Sequence, residues 1–177
     1  MTFSRSPFVL LTLLFALADI LFACSFSPST KSPAVVPFPS YNLNGETDPL
    51  KPRVPAQLRG AARKLTSPFD GYSKEASAEI ILYGKRLYEG KGTCFNCHGW
   101  AGNGDGPASL MVHPGPRDFT NCQFHAQRTD GELFWVIKNG SPNTDMTPMI
   151  PAPINEEEAW KILLYVRTFC PTWPQNQ

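Results

Sequence analysis

Five residues constrain this chain more than any other feature: Cys94-Phe-Asn-Cys97-His98. Two thiols three positions apart on a helical turn face the same side, and the histidine follows directly. From the cysteine and histidine content, chance would produce this pattern about 0.002 times in such a chain. Three chemistries use it. The thiols can add across the two vinyl groups of haem while the imidazole ligates its iron. They can form a thioredoxin-like redox pair, but that requires a βαβ surround, and no strand is legible nearby. They can contribute to a zinc site, with Cys122 and His125 as further ligands at C-x-x-H spacing.

The rest of the chain bears on the choice. Residues 74–177 read as one small helical domain. Ile80, Tyr83, Leu87 and Tyr88 fall at helical spacing over 76–89. Leu133, Phe134 and Ile137 mark a second helix that stops at Gly140. Asn155 followed by Glu156, Glu157 and Glu158 opens a third, which runs to about Phe169 and ends before Pro171. Gly- and Pro-rich loops take up too much of the remainder for a self-supporting bundle, so something other than side chains is expected to fill the centre.

Ahead of this domain, Phe8–Phe22 is an apolar run, interrupted by Asp19 and ending in Leu21-Phe-Ala-Cys24. It is short for a membrane span, which takes about 20 apolar residues, and suits an export signal over residues 1–23. The Leu-x-Ala-Cys ending resembles a bacterial lipobox, which implies a lipid on Cys24. A retained anchor, or cleavage that leaves a free Cys24, are the alternatives. In either case the rest is expected to be exported, to the periplasmic side of a bacterial membrane, and export favours haem among the three chemistries. Residues 24–73 hold eight prolines and read as an extended tether with a reach on the order of 100 Å. Within it, Gln57–Lys64 has the makings of a short helix. The basic stretch Lys51–Lys64 suits a solvated linker, lipid headgroups or a partner subunit. Sixteen basic residues against fifteen acidic ones exclude a dedicated nucleic-acid binder. There is no Ser/His/Asp set, phosphate loop or internal repeat.

From about Ser73 to Phe169 the chain resembles a class I c-type cytochrome. Gly84-Lys-Arg-Leu-Tyr88 sits where that family has its N-terminal helix, with Gly84 allowing the last helix to cross closely. Ile162 and Tyr165 occupy the partner positions on that last helix. The resemblance implies an all-α small cytochrome c fold around one covalently attached haem c, held by Cys94 and Cys97 with His98 as proximal iron ligand. It also implies that the carbonyl of Pro107 accepts the His98 ring N–H, fixing its tautomer. The loop Asn139–Met149 resembles the one that carries the axial methionine. Met146 is the expected distal ligand and Met149 the alternative; His125 and His113 are rival ligands or else simply surface-loop residues, and Met111 is core filler. Arg117 is a candidate partner for a haem carboxylate.

Two cysteines, Cys122 and Cys170, are left over, and in an oxidising compartment they suggest a disulfide; two buried thiols are the alternative. The implied function is single-electron transfer by a membrane-tethered carrier that is not itself an enzyme. Its partners would be redox proteins or a membrane oxidoreductase complex. The alternative is a haem subunit of a larger oxidoreductase, or an open-site haem enzyme. With nine basic and eleven acidic residues in 74–177, strong electrostatic steering is not expected.

Overall fold

A computed structural model describes residues 49–71 and 74–172. Residues 1–23, Cys24 and the tether up to residue 48 lie outside the described residues. Among the described residues six α-helices follow in order: α1 (Ala56–Ala62), α2 (Lys74–Glu89), α3 (Phe95–His98), α4 (Cys122–Ala126), α5 (Asp130–Asn139) and α6 (Glu156–Arg167). A 3₁₀ turn, Ser109–Met111, lies between α3 and α4. Among the described residues there is no strand, and no helix is long and apolar enough to cross a membrane.

Local chemistry sets the helix starts. At α6, the Asn155 side chain accepts from the Glu158 N–H while the Glu158 carboxylate accepts from the Asn155 N–H. Thr129 and Glu132 repeat this reciprocal box at α5. Each box satisfies two donors that a helix start leaves unpaired.

The core forms where α2 crosses α6. A Cβ on Gly84 would lie 2.0 Å from the Lys161 carbonyl oxygen, so only glycine permits this approach. Around the crossing, Leu87, Tyr88, Ile162 and Leu163 are buried, joined by Phe134, Ile154, Trp160 and Val166. Phe134 and Trp160 stack with ring centroids 4.1 Å apart. Tyr88 packs edge-on to Tyr165 at 5.4 Å. Met111, expected in the core, is instead 73% exposed.

Two further ties hold the ends of the domain. Cys122, at the start of α4, is bonded to Cys170, just beyond α6, with Cα atoms 5.2 Å apart. Next to this bridge, the buried Arg167 donates to Asp130, to the carbonyls of His125 and Arg128, and to His125 Nδ1.

The described part of the predicted tether, residues 49–71, is not a free spacer. From Pro49 onward it packs on the helical domain: Val54 and Ala62 are buried, and Arg63 pairs with the buried Glu132 at 3.2 Å. Gly131, in the first turn of α5, admits the α1 backbone so closely that a Cβ there would lie 2.1 Å from the Ala62 carbonyl oxygen. Proline density suggests a spacer, but Pro55 serves here as the residue that precedes α1.

Candidate haem site

Cys94, Cys97 and His98 share the wall of one cavity of about 660 Å³, within the range of sites that bind small molecules and cofactors. Tyr88, Phe119, Leu133, Val136, Ile137 and Leu163 supply much of its apolar lining, and Met146 and Met149 lie on it as well.

The motif is held by its own backbone. Cys94 precedes α3, and the His98 N–H closes onto the Cys94 carbonyl at 2.9 Å, so both cysteines share one turn. The following loop folds back along that turn: Gly104, Gly106 and Ala108 donate to the carbonyls of His98, Cys97 and Asn96. The Tyr88 hydroxyl donates to the Gly99 carbonyl at 2.8 Å, tying α2 to the end of the motif.

The electrostatics suit ligation. Burial pulls His98 down to about 4, so its imidazole is neutral and has a lone pair to give. Burial pushes the Cys94 thiol up to about 12, and Cys97 is raised for the same reason. His98 Nδ1 lies 3.0 Å from the Arg117 carbonyl oxygen. A carbonyl only accepts, so Nδ1 carries the hydrogen and Nε2 keeps its lone pair.

That contact corrects one expectation. The acceptor is the carbonyl of Arg117, not that of Pro107. The folded-back loop uses its donors on α3 and leaves Pro107 exposed and off the cavity wall. Arg117 itself stands on the wall of the same cavity; its guanidinium donates to the Lys51 carbonyl at 3.0 Å and lies 5.3 Å from the centre of the Phe124 ring.

The candidate distal ligands separate by environment. Met146 is half-buried in the loop after α5, where its N–H donates to Thr144 Oγ1 and its carbonyl accepts from Ser141. Met149 packs against the core cluster. His125 is fully buried, not on a surface loop. Its Nε2 meets the Phe119 carbonyl at 2.6 Å and its Nδ1 meets the Arg167 guanidinium at 3.1 Å, so neither ring nitrogen is left to ligate. His113 is exposed, and its backbone N–H donates to Asp145. The zinc reading loses its extra ligands, since Cys122 is in the disulfide. Among the described residues no group of three His, Cys, Asp or Glu side chains is placed to hold a metal ion alone.

Phe119 and the segment before α1 contribute to the site without any signal in the C-x-x-C-H neighbourhood. Phe119 stacks on the His98 ring at 4.3 Å, 16° from parallel, and Lys51, Arg53 and Val54 line the cavity from the N-terminal side. The short helix legible at 57–64 was the one signal that this segment had somewhere to dock.

The family model for cytochrome c matches residues 81–169. The chain belongs to the cytochrome c family. Membership implies covalently bound haem c, and the site fits it: two cysteines on one turn, a neutral histidine oriented by a carbonyl, and an apolar cavity of suitable volume. No curated protein matches this cytochrome. Two solved structures resemble part of it. A chain of the Kuenenia stuttgartiensis reducing HAO-like protein complex Kustc0457/Kustc0458 is 28% identical, over 52% of this chain and 44% of its own, with a TM-score of 0.47. The match therefore spans less than half of that chain. The KustC0563 c-type cytochrome is 27% identical, over 49% of this chain and 96% of its own, with a TM-score of 0.41.

Proposed function

We propose that this protein is a mono-haem c-type cytochrome that carries single electrons and is not itself an enzyme. The observation that carries the reading is the convergence of Cys94, Cys97, His98 and Met146 on one largely apolar cavity. Haem iron, when bound, supplies the chemistry, passing one electron by alternating between Fe(III) and Fe(II).

The chain's own residues do the rest. Cys94 and Cys97 fix the cofactor by two thioether bonds. His98 presents Nε2, aimed by the Arg117 carbonyl and by the Phe119 ring. Met146 offers a thioether sulfur, which favours Fe(II) and raises the potential. His98 and Met146 would together hold the iron, and the chain would then keep it for electron transfer rather than offer it to a substrate. The single C-x-x-C-H sequence supports one haem per chain.

The proposal extends to location: export, a lipid on Cys24, and a spacer between that anchor and Pro49, serving redox proteins or a membrane oxidoreductase complex. The sequence pattern Leu21-Phe-Ala-Cys24 and the proline-rich stretch after it support this part.

The test is direct. A pyridine haemochrome assay on the full chain should give one covalent haem that survives acid-acetone extraction. The reduced protein should resist carbon monoxide at neutral pH. Fast carbon monoxide binding would point to an open-site enzyme or an oxidoreductase subunit instead.

A further inference from the structure

The family match begins at residue 81, yet the cavity has a wall that comes from well before it. Pro49, Lys51, Pro52, Arg53 and Val54 all line it. Backbone carbonyls in this stretch are gripped by arginines: Leu50 by Arg128, Lys51 by Arg117 and Val54 by Arg59. Two of these arginines belong to the helical domain. The Lys51 contact is made by the same residue whose carbonyl orients His98. Behind the wall, α1 is seated on α5 by the close approach at Gly131 and by the pair between Arg63 and Glu132, whose carboxylate is 1% exposed.

We infer that Pro49–Val54 is a built part of the haem site, a docked strap that shields the cofactor from water and raises its reduction potential. The inference rests on the haem reading above. Two effects act in the same direction. A wall that excludes water disfavours the oxidised state, which carries one more positive charge. Lys51 and Arg53 belong to the cavity wall, and positive charge carried close to the cofactor would also favour the state with less positive charge. The strap follows directly on the proposed spacer, so the chain that leads to the anchor would be mechanically continuous with a wall of the redox site.

The test uses full-chain holoprotein. Gly131→Ala places a methyl against the Ala62 and Leu65 carbonyls while improving α5 as a helix. Arg63→Ala weakens the same docking from the strap side without adding an atom against the backbone, and the Glu132 carboxylate keeps its hydrogen bonds from Thr129, so it carries the test if Gly131→Ala does not fold. Gly60→Ala, where a Cβ meets nothing within 4 Å, is the control. In both docking variants, trypsin should cut at Arg53, Arg59, Arg63 or Lys64, where present, roughly tenfold faster. The reduction potential should fall, and the covalent haem should remain. The control should show neither change. Faster cleavage with an unchanged potential would remove the strap from the haem site. Unchanged cleavage in both variants would show that the docking contacts do not hold it. Absence of covalent haem from the parent protein would overturn the cofactor reading itself, an outcome distinct from the other two.

Discussion

Replacing Gly84 by alanine isolates the helix crossing on which the site is built. The added Cβ would lie 2.0 Å from the Lys161 carbonyl oxygen and 2.6 Å from its carbon. Both atoms are backbone, so no side chain can swing away, and α2 and α6 must part by roughly 1 Å merely to relieve the overlap. A gap of 0.5–1 Å already forfeits roughly a quarter to a half of each dispersion contact, here among Leu87, Tyr88, Ile162 and Leu163. Overpacking of this kind costs about 3 kcal/mol at its upper end. Alanine returns about 1 kcal/mol through its better helix propensity, which leaves about 2 kcal/mol of destabilisation. For a domain of this size that is a fall in Tm of roughly 8 °C. Thermal melts of the holoprotein, followed by far-UV circular dichroism, measure it. A Tm that stays level or rises would mean propensity dominates and the helices do not meet at Gly84.

Four other outcomes are expected. Met146→Ala should abolish the sulfur-to-iron charge-transfer band of the oxidised protein and lower its potential, whereas Met149→Ala should keep the band and cost about 2 kcal/mol of stability; the opposite pattern would exchange their roles. Intact-mass measurement after alkylation under denaturing, non-reducing conditions should leave Cys122 and Cys170 unmodified, and replacing both by serine should cost about 4 kcal/mol, the chain-entropy value for a loop of 48 residues. His125 is held below its ordinary value, first by burial and also by the Arg167 charge. The unfolded chain therefore takes up its proton first, so stability should be full above about pH 6.5 and decline as pH falls below it; urea midpoints level between about pH 7 and 5.5 would refute this. Cys24→Ala should release the protein from membranes with its haem spectrum unchanged; continued membrane binding would indicate that residues 8–22 stay as the anchor.

What the sequence made legible is what depends on near neighbours. Cys94, Cys97 and His98 lie within one turn, so their spacing alone placed them on one face. Asn155 and Glu158 are three apart, and the cap they form needs nothing else. Gly84 was legible through family resemblance, and the reason for it became physical only once Lys161 was found against it. The acceptor for His98 was misplaced because the choice between Pro107 and Arg117 turns on how the intervening loop folds back, and no local pattern encodes that. The burial of His125 is not legible in the sequence because its partners, Phe119 and Arg167, reach it from six residues upstream and from the far end of α6. The docking of 49–71 was hidden for a related reason. Proline density describes a chain's stiffness, not whether arginines elsewhere will grip its carbonyls.

The restraint on His98 bears on speed. Its ring is held at Nδ1 by the Arg117 carbonyl, flanked by Phe119, and followed by a peptide fastened to Tyr88. In the proposed carrier such a ligand has almost nowhere to move when the iron changes its oxidation state. A ligand held in this way would add little nuclear rearrangement to the transfer of each electron. The barrier that remains lies in bringing the donor or acceptor close enough, and turnover in the working system would be set by encounter and separation of the proteins.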